Sequence, residues 1–532
     1  MTASGAAAAT AAGAAPRRRT RLRPSAVTVV IITATLLAVA LRIYDLTRPG
    51  YLFGISEYDD GTDFGSAIRL VHGGVPYRDF IMVQPPGITL IMFPVALITK
   101  GMGTITGMAV ARVATALASA AAVPLAGLLT RHRGFVAVLV SCGVLAIYPD
   151  SIMAARTVLL EPWLVLFCLL GALAVFDGDR VATGRRLLLG GVLFGFAGGV
   201  KVWAILPVAV ILALTARRPR QAAVYAGGVA LGFCVAVLPF ALTAPTTFFR
   251  SVIIAQLVRN NLVRIPQGYR LQQMLGLAHV SQFATPALVI IGIAVVVAIA
   301  AISVLGARLA HSAPPALDWF ATGTCVLVVL AFLWPADFFY HYPGFLAPFL
   351  ALALALPLSR VLAALPEGGS RRWPAPLVRR WTAVAAGVVL VVLTAFQVVA
   401  EGHEASGVPA SEIAAVQRLI PPGACVATDQ VAYTIAINRF VSATPGCSLM
   451  IDGLGTDYAL SNGRNGQTGA GRSPAVAAAW LAEFRAAQYA WLTTEQARRI
   501  PWTPALMAYF RSHFVPLGGG PDGLYIRSAH HG

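Results

Sequence analysis

The stretch GISEYDDGTDFGSAIRLVHGGVPYRDF, residues 54–80, lies between two strongly apolar segments and carries five carboxylates. They are Glu57, Asp59, Asp60, Asp63 and Asp79. The whole chain has only 22 acidic residues among 532. So many acids in one short loop indicate either a functional surface or a strongly hydrated one.

The composition is that of a membrane protein. Hydrophobic residues make up 57% of the chain and charged residues 12%, the mean hydropathy is +0.73, and soluble domains carry roughly twice that charged fraction. Apolar runs long enough to cross a hydrocarbon core of about 30 Å recur from residue 26 to residue 400. We predict a polytopic α-helical membrane domain (26–400) with its first outer loop at 45–104, after a disordered basic cytoplasmic tail (1–25). Residues 401–532 have a soluble composition and are predicted to form a small extracytoplasmic α/β domain.

The net charge of +18 comes from arginines that cluster between apolar runs. Nucleic-acid binding favours basic residues along one face with interleaved aromatic residues, and this pattern is absent, so nucleic acid is excluded as a partner. We interpret the clusters as topology signals that place the N-terminus in the cytoplasm of a plasma-membrane protein. The clusters lie at 17–23, 131–133, 180–186, 217–220 and 371–380.

About eleven segments are predicted to cross the membrane. They are 26–44, 105–130, 134–148, 158–176, 187–200, 202–216, 222–243, 284–306, 319–334, 344–361 and 382–400. Segment 85–102 is interpreted as a re-entrant or surface helix, because an extra crossing there would place the cluster at 131–133 outside. Segment 187–216 lies between two basic clusters that both face the cytoplasm, so it is predicted to cross the membrane twice as a hairpin. Lys201, one of two lysines in the chain, lies at the outer tip of this hairpin.

The acidic loop holds a predicted short helix at 59–72. Its apolar residues recur at helical spacing and would form a face that lies on the membrane surface. Asp59 is the predicted N-cap, and GGVPY (73–77) ends the helix. Asp60 falls on the apolar face, where a carboxylate is costly unless it has a function or a partner.

The six cysteines show no CxxC motif and no metal-type spacing. Cys142, Cys168, Cys234 and Cys325 lie in apolar runs and are interpreted as small core residues. Cys425 and Cys447 lie in the tail. If the tail is outside the cytoplasm, these two cysteines could form a disulfide or stay as free thiols, and the sequence does not decide between the two states.

Acids and cations are predicted to face one outer surface. The acids are Asp59, Asp60 and Glu161, and the cations are Arg78, Arg156, Lys201, Arg250, Arg259, Arg264 and Arg270. Such a surface suits glycosyl transfer from a polyprenyl-phosphate sugar, in which a carboxylate takes the proton of an attacking hydroxyl and cations balance the departing phosphate. Structural alternatives stay open: Glu161 before Pro162 fits the first turn of a helix, and the arginine loop at 246–270 fits anchoring to anionic membrane lipids.

The motifs YDDG (58–61), GGVPYRDF (73–80), PPG (85–87), LLEPW (159–163) and GGVK (198–201) occur in this order. Together they resemble the GT-C superfamily of integral membrane glycosyltransferases, in particular the group of protein O-mannosyltransferases and lipid A aminoarabinose transferases. The tail resembles the extracytoplasmic tails of actinobacterial members. The resemblance covers residues 26–245 well and implies a hexosyl- or pentosyltransferase with a polyprenyl-phosphate donor and a glycan, lipid or protein acceptor.

By this resemblance, Asp59 is the catalytic base and Asp60 and Glu161 orient the acceptor or the sugar. Lys201 meets the donor phosphate, with Arg78, Arg156, Arg259 and Arg264 as further candidates for phosphate binding. The aminoarabinose transferases have a basic residue where this chain has Gln84, and Arg78 or Arg156 would take its role. Asp337, Tyr340 and His341, in WPADFFYHYPGF (334–345), are candidate acceptor or sugar contacts, although a histidine among aromatic residues is also a common hydrogen-bonded filler.

Three questions stay open at this level. A divalent cation would use Asp59, Asp60 and His341. A transporter or flippase of lipid-linked sugars is the main alternative function, although charges at mid-membrane depth and inverted repeats are not evident. A glycan ligase or polymerase with a lipid-diphosphate donor is the alternative among enzymes. Asp429 and Asp452 in the tail are interpreted as turn residues rather than as glycan contacts.

Overall fold

The fold is described from a computed structural model, which covers residues 25–259, 264–277, 284–365, 374–402, 407–447, 450–494, 497 and 499–528. Helices dominate residues 26–402. They are α1 (Ala26–Thr47), α2 (Tyr58–Val71), α3 (Gly87–Ala96), α4 (Thr99–Met102), α5 (Thr104–Thr130), α6 (Phe135–Ile147), α7 (Pro149–Met153), α8 (Leu160–Val175), α9 (Gly184–Val200), α10 (Ile205–Thr215), α11 (Pro219–Ala241), α12 (Pro245–Phe248), α13 (Ala255–Leu257), α14 (Gln267–Met274), α15 (Thr285–Leu309), α16 (Ala316–Leu333), α17 (Pro343–Ala364) and α18 (Ala375–Gly402). A two-stranded hairpin, β1 (Phe176–Asp177) and β2 (Arg180–Val181), joins α8 to α9.

Within the described residues, seven helices are long and apolar enough to cross a membrane. They are α1, α5, α11, α15, α16, α17 and α18. The bent pair Phe135–Ile147 and Pro149–Arg156 would make an eighth, and shorter apolar helices lie at Gly87–Ala96, Leu160–Val175 and Val202–Thr215. The chain is therefore a multi-pass, mostly helical membrane protein.

Each of the segments predicted to cross the membrane lies on a helix, while the number of crossings stays a prediction. Segment 85–102 forms α3, with Pro94 inside it, and the short α4. With ten residues, α3 is only about 15 Å long, roughly half of a hydrocarbon core. By itself it is too short to cross.

An arginine inside the bundle stabilises the bend between α6 and α7. The two helices turn by 56° at Pro149, because a proline at the first position begins a new helix and leaves the last carbonyls of α6 without partners. The buried guanidinium of Arg42 donates to the carbonyls of Ala146 (3.1 Å) and Ala38 (3.2 Å) and to the hydroxyl of Ser119 (2.8 Å).

Glycines allow α9 and α11 to touch through their backbones. A Cβ on Gly195 would lie 2.0 Å from the carbonyl oxygen of Val229, and one on Gly232 would lie 2.0 Å from that of Val192. This small-residue packing is typical of membrane helices. A Cβ on Gly87 would likewise lie 2.5 Å from the oxygen of Gly199, so the start of α3 and the end of α9 are held together. Lys201 follows directly after α9.

Helix α2 corrects two predictions about the acidic loop. The helix begins one residue earlier than predicted, at Tyr58, so Glu57 is the N-cap and Asp59 lies in the first turn. Its apolar face does not lie on the membrane surface, because α2 is buried within the protein. A Cβ on Gly61 would lie 2.3 Å from the nitrogen of Ala432. The predicted end is confirmed: the helix stops at Val71, and Gly73 has a φ of 88°.

Residues 407–528 combine helices with a small sheet. The helices are α19 (Ala410–Leu419), α20 (Ala432–Ala436), α21 (Gly453–Leu460), α22 (Pro474–Ala486) and α23 (Pro504–His513), and the strands are β3 (Val426–Ala427), β4 (Tyr489–Trp491), β5 (Phe514–Pro516) and β6 (Leu524–Arg527). The sheet order is β3-β4-β6-β5, with β3 parallel to β4 and the other pairs antiparallel. One core around Trp480 and Phe484 lies within this region. A second core is shared with α2, α3 and α5.

Cys425 and Cys447 form a disulfide at the edge of this region. Of the two alternatives that the sequence left open for these thiols, the structure has the bond. Cys142, Cys168 and Cys325 are buried and free, as expected for core residues, and Cys234 is free and half-buried.

Candidate active site

The first element of the site is a buried ion pair between α8 and the residue after α9. Lys201 Nζ lies 2.5 Å from Glu161 Oε1, and the two side chains are only 6% and 1% exposed. The ammonium also lies 3.8 Å from the ring centre of Trp203 and 4.7 Å from that of Tyr342. Since a buried charge is costly without a partner, the carboxylate and the aromatic faces together account for a lysine at this depth.

His341 connects this pair to the acidic loop. Its Nδ1 lies 3.0 Å from Glu161 Oε2, and its Nε2 lies 4.0 Å from Asp59 Oδ2. The imidazole is 5% exposed, whereas the side chain of Asp59 is 48% exposed. The order Lys201, Glu161, His341, Asp59 is thus a continuous chain of ionisable groups that runs from the bundle interior to an accessible carboxylate.

Glu57 and Tyr340 make a second link between the same segments. The hydroxyl of Tyr340 donates to Glu57 Oε2 over 2.8 Å, while Glu57 Oε1 accepts from the backbone N–H of Tyr58. Burial, and then the charge of Asp59, raise the pKa of Glu57 above its ordinary value. Burial also raises the pKa of the Tyr340 phenol well above its usual range. The segment 340–342 is therefore fixed against the start of α2 at two consecutive residues.

Asp60 lies outside this chain of groups. It is fully buried and pairs with Arg112, whose Nε donates to Asp60 Oδ2 over 3.0 Å. The other oxygen, Oδ1, accepts from the backbone N–H of Val158 over 2.7 Å. Arg112 donates further to the carbonyls of Tyr51 (2.6 Å) and Leu52 (2.8 Å). Both carboxylate oxygens of Asp60 are thus used in holding α2 to α5 and to the loop before α8.

Comparison with known proteins agrees with this architecture. The family model for Glycosyltransferase family 87 matches residues 83–335. Among solved structures, the chain is similar to ArnT from Cupriavidus metallidurans in the apo state, with a TM-score of 0.56 and 13% identity over 94% of this chain and 98% of that chain. ArnT bound to undecaprenyl phosphate gives a TM-score of 0.55 and 14% identity over the same shares of the two chains.

The chain therefore shares the fold of ArnT, and its residues 83–335 resemble Glycosyltransferase family 87. A third similar structure is the oligosaccharyltransferase of Archaeoglobus fulgidus tethered with an acceptor peptide that contains the NVT sequon. It gives a TM-score of 0.53 and 14% identity over 94% of this chain and 74% of that chain. At these identities the structures show that the fold is shared. No curated protein matches the chain.

The structure does not bring together all of the cations expected near a phosphate. Arg78 pairs with its neighbour Asp79, and Arg264 donates to the backbone carbonyls of Leu333 and Trp334. Over the part of the chain that the structure describes, neither of these arginines contacts the Lys201–Glu161–His341–Asp59 chain. The prediction that they lie in the site is therefore not supported by their geometry, because each is held by local partners.

Two other predicted arginines, Arg259 and Arg156, also have partners of their own. Arg259 Nε lies 3.2 Å from Asp337 Oδ2, and its guanidinium lies 4.4 Å from the ring centre of Tyr458. Arg156 lies 3.5 Å from Asp45 and 4.4 Å from the ring centre of Tyr51. Arg259 thereby connects the 334–343 loop with α21 of the C-terminal region.

Asp63 is a carboxylate of the site that the sequence argument passed over. It follows Asp59 by one helical turn, and it is 2% exposed. Burial, and then the charges of Asp59 and Glu161, raise its pKa well above the ordinary value. The i, i+4 spacing of two acids on one predicted helix was the signal that could have indicated it.

The ligands suggested for a divalent cation are not brought together. Asp60 faces Arg112, while Asp59 and His341 lie in the chain of ionisable groups described above. Over the ranges that the structure covers, no three His, Cys, Asp or Glu side chains group in a way that could hold a metal ion. The residues present do not fit the metal site considered from the sequence.

The C-terminal region contributes to the walls of the site. Asp452 caps α21 by accepting from Gly455 (2.7 Å), and it also accepts from the hydroxyl of Tyr58 (3.1 Å). Burial raises the pKa of Asp452 to about 6. Asp429 accepts from the N–H and the hydroxyl of Thr493 (2.8 and 2.7 Å). Both residues have structural contacts, in line with the turn roles expected for them.

Proposed function

We propose that the protein transfers a sugar from a polyprenyl-phosphate donor to a hydroxyl group of a glycan, lipid or protein acceptor on the outer face of the membrane. The observation that carries the proposal is the chain of groups from Lys201 through Glu161 and His341 to Asp59. It joins a buried cation, which can bind a phosphate, to an accessible carboxylate, which can bind an acceptor.

Asp59 is the catalytic base in this proposal. Its side chain is the most accessible of the four, and its position next to His341 gives it a nearby cation whenever the imidazole is protonated. The carboxylate takes the proton of the acceptor hydroxyl as the acceptor oxygen bonds to the anomeric carbon. The bond between that carbon and the phosphate oxygen breaks, and the polyprenyl phosphate leaves with the electron pair.

Lys201 balances the charge that grows on the leaving phosphate. An ammonium has three donors, and Glu161 occupies one of them in this structure. Glu161 lies next to both Lys201 and His341, so it orients these two side chains and pairs the charge of the buried lysine. Arg259, on the flank toward α21, is a further candidate for contact with the donor phosphate, and Arg156 lies on the side of Tyr340.

Tyr340, His341 and Asp337 are proposed to contact the acceptor or the transferred sugar. The first two already contact the start of α2 through Glu57 and Asp59, so the 334–343 loop covers the acidic loop. Burial raises the pKa of Asp337 above its ordinary value. A loop in this position suits the exclusion of water from the reacting groups.

A lipid donor is supported by an apolar cavity of about 970 Å³ between α6, α14, α15, α16, α17 and α18. Its lining includes Leu271, Val289, Leu346 and Leu390. Leu346 follows Tyr342, which contacts Lys201, by one helical turn, so the cavity adjoins the proposed phosphate position. We propose that it holds part of the hydrocarbon chain of the donor.

The outer face is supported by the disulfide between Cys425 and Cys447. Disulfides persist in oxidising compartments and are rare in the cytosol. The region that contains it also packs on α2 through Asp452 and Tyr58, on the side of the bundle that carries the site. Site and disulfide therefore belong to the same, extracytoplasmic side in this proposal.

The direct test is a transfer assay with purified protein in detergent. We expect release of polyprenyl phosphate and formation of a glycosylated acceptor from a polyprenyl-phosphate sugar, and no activity with the Asp59→Asn variant. A panel of sugars and acceptors would identify the substrates. Turnover in detergent cannot be transport, so absence of turnover with every donor in the panel, together with sugar movement in vesicles, would overturn the proposal.

A further inference from the structure

Asp63 differs from the other acids of the site in its surroundings. Asp59, one turn earlier on α2, has a side chain that is 48% exposed, whereas Asp63 is 2% exposed. Residues four apart on a helix lie on the same face, with Cβ atoms about 5–6 Å apart. Within the described part of the chain, no side chain or backbone group donates a hydrogen bond to the Asp63 carboxyl.

The charges around Asp63 are mostly negative. Asp59, Glu161 and Asp452 act on it as like charges, and Lys201 is the cation that opposes them. Lys201 is already paired with Glu161 at 2.5 Å. A further negative charge at this buried position is therefore poorly compensated, and burial, followed by these neighbours, raises the pKa of Asp63.

We propose that Asp63 is a further substrate-binding residue that stays neutral and donates a hydrogen bond to a sugar hydroxyl in the site. This inference rests on the proposed function and adds the group that recognises the sugar. No proton is transferred from Asp63 during the reaction.

The chemistry of a neutral carboxyl group fits this task. It offers one donor and retained acceptor capacity, and a sugar hydroxyl likewise donates and accepts. An ionised carboxylate next to Asp59 would only accept and would compete for the same base function. Because Asp59 and Asp63 are adjacent on one face of α2, a sugar ring that presents one hydroxyl to Asp59 has its neighbouring groups within the range of Asp63.

The experiment compares Asp63→Asn with Asp63→Leu in the transfer assay, with donor and acceptor KM measured separately. Asparagine is neutral and can still donate, so Asp63→Asn should stay within about threefold of wild type, whereas Asp63→Leu should lose about tenfold or more in kcat/KM. A change in donor KM would place the bonded hydroxyl on the transferred sugar, and a change in acceptor KM would place it on the acceptor. Asp177→Asn, an acid 77% exposed on the β1–β2 hairpin, is the matched control.

Two kinetic outcomes would overturn the inference. If Asp63→Leu is as active as wild type, Asp63 does not contact a substrate. If Asp63→Asn is as inactive as Asp59→Asn, Asp63 acts as an ionised group.

Thermal unfolding in detergent tests the neutral state independently of activity. Because the folded protein holds this proton more tightly than the unfolded chain, wild type should lose stability as the pH rises above about 4. Asp63→Asn should lose less over the same range, and parallel curves for the two proteins would contradict a neutral Asp63. This measurement is informative even if no donor is turned over, an outcome that would count against the proposed function instead.

Discussion

Asp60 and Arg112 form a buried ion pair, with Arg112 Nε 3.0 Å from Asp60 Oδ2 and the other carboxylate oxygen bound to the N–H of Val158 at 2.7 Å. Asp59, the adjacent residue, instead faces His341 and is half exposed. Successive residues of a helix point about 100° apart, so two neighbouring acids meet different surroundings. We expect Asp59 to take part in the chemistry and Asp60 to position α2.

Replacement of Asp59 by asparagine should abolish sugar transfer, because the amide cannot accept the proton of the attacking hydroxyl. The expected loss in kcat is about 10²–10⁴-fold. Insertion and thermal stability should be unchanged, since the side chain is half exposed and its contact with His341 is as long as 4.0 Å. Full activity of the variant in isolated membranes would show that another group is the base.

Replacement of Asp60 by asparagine should act on stability first. Removal of one partner of a buried ion pair leaves the other uncompensated and costs about 3–5 kcal/mol. The double variant Asp60→Asn, Arg112→Gln should regain part of this loss, as measured by thermal unfolding in detergent. A variant at Asp60 that unfolds like wild type but does not transfer sugar would instead give Asp60 a direct role in the reaction.

Replacement of Lys201 by methionine should reduce kcat/KM by about 10²-fold or more, because the leaving phosphate loses a buried cation. The chain has one other lysine, Lys100, which is exposed on α4. Lys100→Met is therefore a control with the same chemical change, and it should keep wild-type activity. Equal activity of both variants would remove Lys201 from the donor site.

Loss of the disulfide should destabilise the C-terminal region. The bond joins residues separated by 22 positions, and the double variant Cys425→Ser, Cys447→Ser should lose about 2–4 kcal/mol. Treatment of wild type with a reductant should lower its unfolding temperature in the same way. If alkylation and mass spectrometry find both thiols free in protein taken directly from membranes, the extracytoplasmic placement of this region is wrong.

The stability of the C-terminal region should depend on pH through Asp457. Its Oδ1 accepts from Trp480 Nε1 at 3.0 Å, its Oδ2 has no partner among the described residues, and burial raises its pKa to about 8. The folded state therefore binds the proton more tightly than the unfolded state, so stability should fall as the pH rises from about 4 to about 8 and then level off. Asp457→Asn keeps the acceptor for Trp480 and should show a smaller decline in unfolding temperature at pH 5, 7 and 9. An unchanged profile in the variant would place the titration on another group.

Much of the secondary structure was accessible from the sequence. Apolar runs place α1, α5 and α11 within a few residues of their observed bounds, because a helix in lipid must satisfy its own backbone and so follows the hydrophobic run. The end of α2 was equally accessible, since Gly73 takes a backbone conformation that few other residues adopt. The sequence also identified Asp59, Glu161 and Lys201 as candidate site residues, from their residue types and their positions in the ordered motifs.

The surroundings of α2 were not accessible from its own pattern. An apolar helix face packs equally well on lipid or on protein. The periodicity of 59–72 therefore cannot show whether this face lies on the membrane or packs against the protein around Ala432. The Glu57 cap, the burial of Asp63 and the pairing of Asp60 all depend on residues distant in the chain. Arg112 lies 52 positions from Asp60, and Tyr340 lies 283 positions from Glu57.

The sequence by itself determined that the chain is a helical membrane protein and that acids, a lysine and an aromatic loop are its unusual residues, because composition and hydrophobic run length are local properties. Only the tertiary structure decided which of these groups meet. It joined Lys201, Glu161, His341 and Asp59 into one site and assigned Asp60 to Arg112. The physical reason is that a buried charge must find a partner, and helix packing sets which partner lies within reach.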